Sequence, residues 1–154
     1  MTNVTSEMTS EEAGVEQQIT PDEVEAILAD HGYDVSEHEL PDGTVILRIS
    51  DPESGVVIRG VLEGEIRFLT MSCLSVPKGK ITPDLMSRML ASDNGISTSS
   101  FQLYERSDGT VAVTLNNFCK LQQLGSDDTD DILSCVEFLM VDVMAARELV
   151  GEIL

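Results

Sequence analysis

The chain has 154 residues, 42% of them hydrophobic, and its 28 Asp and Glu against 9 Lys and Arg give a net charge of -19. Phosphate backbones and anionic membrane surfaces are bound through clustered Lys and Arg, so this charge argues against nucleic acids and membranes as partners. The length and hydrophobic content instead predict one globular domain. Its acidity either serves solubility alone or attracts basic or amphipathic partners.

Residues 1–19 are rich in Ser, Thr, Glu and Gln and show no hydrophobic periodicity, which predicts a disordered acidic tail. They contain no Lys or Arg and no long apolar stretch, so they do not resemble a secretory signal. The sequence also lacks the run of about 18 apolar residues that a membrane-spanning helix needs. We therefore expect a cytoplasmic protein.

The first helix is predicted to begin after Thr20, because residues 20–23 form a capping box with proline at the first helical position, and to end near Gly32. Three segments rich in β-branched residues follow, separated by turns that contain Gly. They predict an antiparallel meander of strands at 44–50, 56–62 and 65–74. Both alternating sets of side chains are partly apolar, so we expect both faces of the sheet to be covered, by helices or by another subunit.

The second half begins with the same signature of a cap followed by proline, Thr82-Pro83-Asp84, which predicts a helix that ends at residues 93–95. Residues 99–117 predict a hairpin around Asp108-Gly109 with one exposed side. Residues 126–154 predict the longest helix, whose apolar seam advances in steps of four and three. The seam consists of Ile132, Val136, Leu139, Val143, Ala146, Val150 and Ile153. The predicted fold is α+β, with an antiparallel sheet and the element order α-β-β-β-α-β-β-α.

The last helix carries apolar residues beside its seam as well as along it. One seam is enough to pack on the sheet, so the extra width predicts a second partner, within the chain or in another chain. Methionines on the second helix suggest the same, since Met suits adaptable binding surfaces, although it also fills irregular cores. The candidate partner or dimer contacts are Met86, Met89, Leu133, Met140 and Met144.

The sequence contains no strong catalytic or metal-binding motif. The two histidines, His31 and His38, have no nucleophile motif nearby, and Cys73 alternates as a strand residue that we expect in the core. With Cys119 and Cys135 it shows no metal or redox spacing, so we expect free thiols in a reducing compartment. The acidic run at 127–131 resembles half of a calcium loop, but it lacks the required Gly and closing Glu and is better explained as a helix cap. We predict no catalytic residue, metal or cofactor.

The element order, the small size, the acidity and the apolar C-terminal helix resemble the YbjN-like family and the structurally related class I type III secretion chaperones. The likeness covers residues 20–154 and is carried by Phe101-Gln102-Leu103-Tyr104-Glu105, by Asp108-Gly109-Thr110-Val111-Ala112-Val113 and by the long helix after them. The resemblance implies a single type III secretion chaperone-like domain in a cytoplasmic, non-enzymatic bacterial protein. Such proteins are often dimeric and act through protein contacts.

We therefore expect a dimeric interaction module, a YbjN-like regulator or a chaperone-like protein that binds a polypeptide partner. A dedicated class I type III secretion chaperone for an effector is the first alternative. A small enzyme or weak calcium-binding protein, using His31, His38 or residues 127–131, is the second.

Overall fold

The structure is a computed structural model that describes residues 19–64, 67–121 and 126–151. Within these residues the chain is α+β, with three α-helices, a single 3-10 turn and a six-stranded antiparallel sheet. The helices are α1 (Pro21–Asp30), α2 (Pro83–Leu90) and α3 (Ser126–Gly151), and the 3-10 turn is Lys78–Lys80. The strands are β1 (Asp34–Glu39), β2 (Val45–Ser50), β3 (Val57–Glu63), β4 (Arg67–Pro77), β5 (Ser100–Glu105) and β6 (Thr110–Lys120).

The sheet has the strand order β1-β2-β3-β4-β6-β5, and every neighbouring pair is antiparallel. The predicted meander and hairpin are confirmed, but the predicted element order is wrong by one strand, because β1 precedes the meander. β1 is an edge strand in which every side chain except that of Val35 is exposed. Its polar sequence therefore carries no apolar alternation from which a strand could be predicted.

The two predicted helix starts are confirmed by their caps. The hydroxyl of Thr20 accepts a hydrogen bond from the Glu23 N–H at 3.3 Å, and the hydroxyl of Thr82 accepts one from the Leu85 N–H at 3.2 Å. α2 ends at Leu90, earlier than expected. The side chain of Asn94 donates to the carbonyl of Met89 at 2.6 Å, which satisfies one of the carbonyls left open where this helix stops.

All three helices lie on one side of the sheet, here called the inner face. α3 crosses β4 and β6, α1 covers β1 and β2, and α2 contacts α3. The predicted seam is confirmed over the described residues, since its members are buried apart from Ala146, which is half-buried. Ile153 lies outside them, as do residues 1–18 of the predicted tail, whereas Ile19 packs against the core. The main core consists of α1, α3 and the inner-face side chains Leu47, Ile49, Ile58, Phe68 and Leu115.

A buried carboxylate joins α3 to the segment that leads into β5. Asp142 accepts hydrogen bonds from the Ser97 N–H at 2.8 Å, the Ser97 hydroxyl at 2.9 Å, the Thr98 N–H at 3.3 Å and the Ser99 N–H at 3.1 Å. Burial raises the pKa of Asp142, but the hydrogen bonds outweigh it, and the net pKa lies below the ordinary value. The carboxylate is therefore held in its charged form.

Replacing this carboxylate tests its contribution to stability. We expect Asp142→Asn to lower the free energy of unfolding by about 2 kcal/mol near neutral pH, the order of a hydrogen bond to a charged group. Because the folded-state pKa is lowered, the contribution is present above the unfolded Asp pKa of about 3.9 and is lost as pH falls through the folded value. Urea unfolding at neutral and acidic pH measures it, with Glu137→Gln, exposed in the middle of the same helix, as the control. A deficit that persists undiminished in acid would contradict this account.

Candidate functional site

The second side of the sheet, here called the outer face, has no helix over it among the described residues. A line of apolar side chains crosses four strands of this face in direct register. Ile46 pairs with Val61, Val61 pairs with Leu69, and Leu69 pairs with Phe118. Directly opposed residues in an antiparallel sheet point to the same side, so these four residues, the apolar row, form one continuous surface.

The apolar row forms the floor of an open depression of about 380 Å³, which Met71 and Asn116 also line. Phe118 is 54% exposed and Met71 is 37% exposed, while Ile46 is half-buried by its neighbours. Large apolar side chains on an exposed sheet are normally covered by a second layer. Here the depression is open to solvent.

Basic side chains border the apolar row on both sides, and we call them the cationic flanks. Arg48 and Arg59 face each other across β2 and β3, two residues along from Ile46 and Val61. On the other side Arg67 faces Lys120, two residues along from Leu69 and Phe118. Residues two apart in a strand share a face. The cationic flanks therefore lie on the same surface as the apolar row.

The outer face carries a charge opposite to that of the whole chain. Its basic residues are Arg48, Arg59, Arg67, Arg106 and Lys120, five of the nine in the sequence. The strand carboxylates on this face are Asp34 and Glu63, and Glu63 pairs with Arg67 at 2.6 Å. In a chain with a net charge of -19, basic residues are thus concentrated on one surface.

The candidate contacts predicted from the sequence are not assembled into one exposed surface. Met89, Leu133 and Met140 are 4%, 8% and 5% exposed and belong to the core. The extra width of α3 is used within the chain, because α1 and α2 both contact this helix. Met86 on α2 and Met144 on α3 are exposed, so these two alone of the five can meet another molecule directly.

The exposed side of α3 carries apolar residues that the sequence analysis did not select. Phe138, Val141 and Met144 follow one another at intervals of three and are each about half exposed or more. We call these three residues the α3 stripe. Of these three residues only Met144 was expected to contact a partner, because the predicted seam lies on the opposite side of the helix. The other two could have been found from the sequence, since they are apolar residues at helical spacing outside the seam.

Cys73 was expected in the core, and this expectation is wrong. It is exposed on the outer face, and the guanidinium of Arg106 lies 3.8 Å from its sulfur. By contrast, Cys135 is buried, with its sulfur 3.5 Å from the Thr70 hydroxyl. A hydrogen bond with Cys135 raises the pKa of the Cys119 thiol, which keeps that thiol protonated.

The histidines do not form a common site. His31 caps the end of α1, before β1 begins, whereas His38 lies on the outer face near the other end of β1, and both are exposed. The acidic run predicted as a helix cap lies in the first turns of α3, where Asp128 is buried and Asp130 is exposed. A helical backbone does not present these carboxylates as a calcium loop does.

A different group of carboxylates converges on the helix side of β1. Asp22 and Glu25 of α1 meet Glu37, and one carboxylate oxygen from each lies within 4.8 Å of the others. Hydrogen bonding to Asp22, with partial desolvation and the charges of both neighbours, raises the pKa of Glu37 from 4.5 to about 7. Three carboxylates supply part of the roughly six to eight oxygens of a calcium site.

The acidic cluster makes stability depend on pH. The raised pKa of Glu37 stabilises the fold below its unfolded value of 4.5, and this contribution is lost as pH rises through about 7. We therefore expect Glu37→Gln to resemble the wild type in mild acid and to melt at a higher temperature in mild alkali, where it removes carboxylate repulsion. Thermal unfolding monitored across this range, with Glu39→Gln on the same strand as control, measures the effect. Parallel pH profiles for wild type and Glu37→Gln would contradict it.

No family model matches the chain, and neither a curated protein nor a solved structure matches it. Across residues 19–64, 67–121 and 126–151, no helix is both long enough and apolar enough to cross a membrane.

Proposed function

We propose that the chain is a non-enzymatic protein-interaction module that binds a polypeptide partner on the outer face. The observation that carries the proposal is the apolar row, bordered by the cationic flanks and left uncovered by the helices. Large exposed apolar patches with a polar rim are typical of protein interfaces. Arginine is enriched in such interfaces, and it binds carboxylates through two parallel hydrogen bonds.

The cationic flanks support a binding role because they are unfavourable for folding. Arg48 lies directly opposite Arg59, and Arg67 lies directly opposite Lys120. Like charges at opposed positions of a sheet destabilise it, although Glu63 pairs with Arg67 at 2.6 Å and offsets part of this cost at that position. A partner that brings carboxylates to this face would relieve the repulsion.

The shape of the outer face favours a polypeptide over a small molecule. Small-molecule sites are concave and bury most of the ligand surface. The depression here is open and its lining residues lie on five strands, β2 to β6, with Arg59 at its side. An extended or helical segment can follow such a surface and place several side chains on it at once.

More specifically, we propose that this interaction module is a cytoplasmic YbjN-like regulator or chaperone-like protein. A dedicated type III secretion chaperone is the alternative. The α+β fold, with a long C-terminal helix whose apolar seam is buried, supports this assignment. The additional strand Asp34–Glu39 departs from the element order on which the resemblance was based. The identity of the bound polypeptide distinguishes the two, because a dedicated chaperone retains one secreted effector.

Binding to the outer face can be tested by comparing variants of the tagged full-length chain. We expect Phe118→Ser and Arg59→Glu each to weaken the recovered partner at least about tenfold, or 1.4 kcal/mol, because they remove the apolar and cationic parts of the surface. Isothermal titration with the purified partner measures the loss.

Matched controls lie elsewhere on the surface. Leu90→Ser removes a side chain that is 82% exposed on α2, and Arg147→Glu reverses an exposed charge on α3. Both are expected to bind like the wild type. Undiminished binding by Phe118→Ser and Arg59→Glu would show that the partner binds another surface.

For the homodimer we propose contact through the α3 stripe. Its exposed apolar side chains run along one side of a long helix, which can pack against the same helix of a second copy in a two-fold arrangement. We expect Val141→Asp to shift the protein from dimer to monomer, since it places a charge in the apolar contact. Sedimentation equilibrium measures the change.

The control for the dimer is Met86→Asp, which makes the same kind of replacement on α2 and is expected to leave the dimer intact. A wild-type chain that sediments as a monomer at the highest soluble concentration would contradict the dimer. If Met86→Asp dissociates the dimer and Val141→Asp does not, the dimer contact lies on α2.

A further inference from the structure

The outer face is organised in rows that run across the strands, because directly paired residues lie side by side. On one side of the apolar row, Arg48 and Arg59 belong to the next row, at the β2 and β3 end. On the other side, Arg67 and Lys120 belong to the next row, at the β4 and β6 end. The cationic flanks therefore lie diagonally opposite each other across the apolar row.

Most of the charge on the cationic flanks is available to a bound molecule. Among the described residues, Arg67 is the only member of the flanks that forms an ion pair, with Glu63 at 2.6 Å. Arg48, Arg59 and Lys120 are exposed. A molecule that binds here therefore meets positive charge on both sides of an apolar surface, although the chain as a whole is acidic.

An α-helix has the dimensions of this surface. Three intervals of about 4.8 Å between four strands make the apolar row about 14 Å long, which a helix spans with about ten residues. The flanks lie two residues along the strands from the row, or about 7 Å to each side. A helix with its side chains has a radius of about 5–6 Å. Side chains on both sides of an apolar stripe therefore reach the flanks.

An extended segment along the row fits this surface less well. Its side chains alternate, so those that point to the sheet form a single line. Apolar residues on the apolar row would leave the other side chains of the segment pointing away from the sheet. A helix instead distributes apolar and charged side chains around its circumference, so one helix can contact the row and both flanks.

We propose that the outer face binds an acidic amphipathic helix. The apolar stripe of the helix packs on the apolar row, and carboxylates on both sides of the stripe pair with the cationic flanks. Arginine binds a carboxylate through two parallel hydrogen bonds, which fixes the position of the helix and selects its charge. This inference rests on the proposed function and names the kind of polypeptide that the face accepts.

Other occupants match the outer face less well. In a second copy packed face to face, cationic flanks would meet cationic flanks. An anionic membrane extends beyond this face and is repelled by a chain with a net charge of -19. A bound helix places its carboxylates next to the flanks, well inside the Debye length of about 8 Å at physiological salt, so more distant carboxylates of the chain are largely screened.

The test titrates the full-length chain against three synthetic peptides of about 14 residues, or four helical turns. The first has leucines at helical spacing with glutamates on both sides of the stripe. The second has lysine in place of each glutamate, and the third has the composition of the first in an order that breaks the stripe. We expect fluorescence anisotropy to show that the glutamate peptide binds at least about tenfold more tightly than either of the others, a difference of about 1.4 kcal/mol.

Reversing the charge of one flank tests whether the helix pairs with it. Arg48→Glu and Arg59→Glu, made together, exchange one pair of like charges for another, so the repulsion between the two strands is kept. We expect this chain to lose the preference for the glutamate peptide and to bind the lysine peptide more tightly than the wild type does. The control is Arg147→Glu on α3, which should keep the preference of the wild type.

The position and the salt dependence of the contact are measured on the wild type. The glutamate peptide should shift the methyl resonances of Ile46 and Leu69 and leave that of Met144 on α3 in place. Raising the salt from about 0.1 M to about 1 M shortens the Debye length from about 10 Å to about 3 Å and should weaken binding several-fold.

Four results would overturn the proposal. Two of them are equal binding of the glutamate and lysine peptides, and an unchanged preference in the charge-reversed chain. The third is tighter binding of phosphatidylglycerol vesicles than of the glutamate peptide, which would assign the face to a membrane. The fourth is a shift of the Ile46 and Leu69 resonances on dilution of the free chain, which would assign the face to a second copy.

The recovered partner separates this inference from the proposed function. A partner that needs Phe118 for binding, together with a glutamate peptide that does not bind, would sink this inference alone. A glutamate peptide that binds the outer face, together with a partner whose binding is unaffected by Phe118→Ser and Arg59→Glu, would sink the proposed function alone.

Discussion

The packing of the α3 seam across β4 and β6 is the interaction on which the rest of this structure depends. It buries an unbroken line of aliphatic side chains, among them Ile132, Val136 and Leu139, against the inner face. The remaining width of the helix contacts α1 and α2, so both shorter helices gather on the same side. Asp142, on the same helix, holds the segment that leads into β5. Removing α3 would leave the inner face open and β5 without its anchor.

The same arrangement explains why the outer face is available for binding. Three helices on one side use the apolar width of α3 within the chain, and among the described residues none covers the opposite side. The chain therefore keeps Phe118 exposed and accepts like-charged neighbours such as Arg48 and Arg59, both of which are costs to folding. Proteins accept such local costs where a surface has another use.

The fold follows from the sequence where local chemistry decides the structure. Thr20 and Thr82 each precede proline and form the helix caps that this pattern predicts. The strand β1 could not be predicted in this way, since it is held by pairing with β2 and has almost no apolar signal of its own. Of the residues expected to contact a partner, Met144 is exposed and Met140 is buried. The burial of Met140 could not be predicted, because it depends on neighbours that are far away in the chain.

By itself, the sequence determined the helices, the meander, the hairpin and the fact that the sheet is apolar on both sides. These features depend on periodicity, caps and turns, which act over a few residues. Only the tertiary structure decided which side of the sheet the helices cover, and thereby that Ile46, Val61, Leu69 and Phe118 form one open row. Strand register brings these residues together from four separate segments, and it also concentrates the few basic residues beside them. An alternating pattern within one strand carries no information about either outcome, because the two faces of a strand are equivalent until the other elements pack.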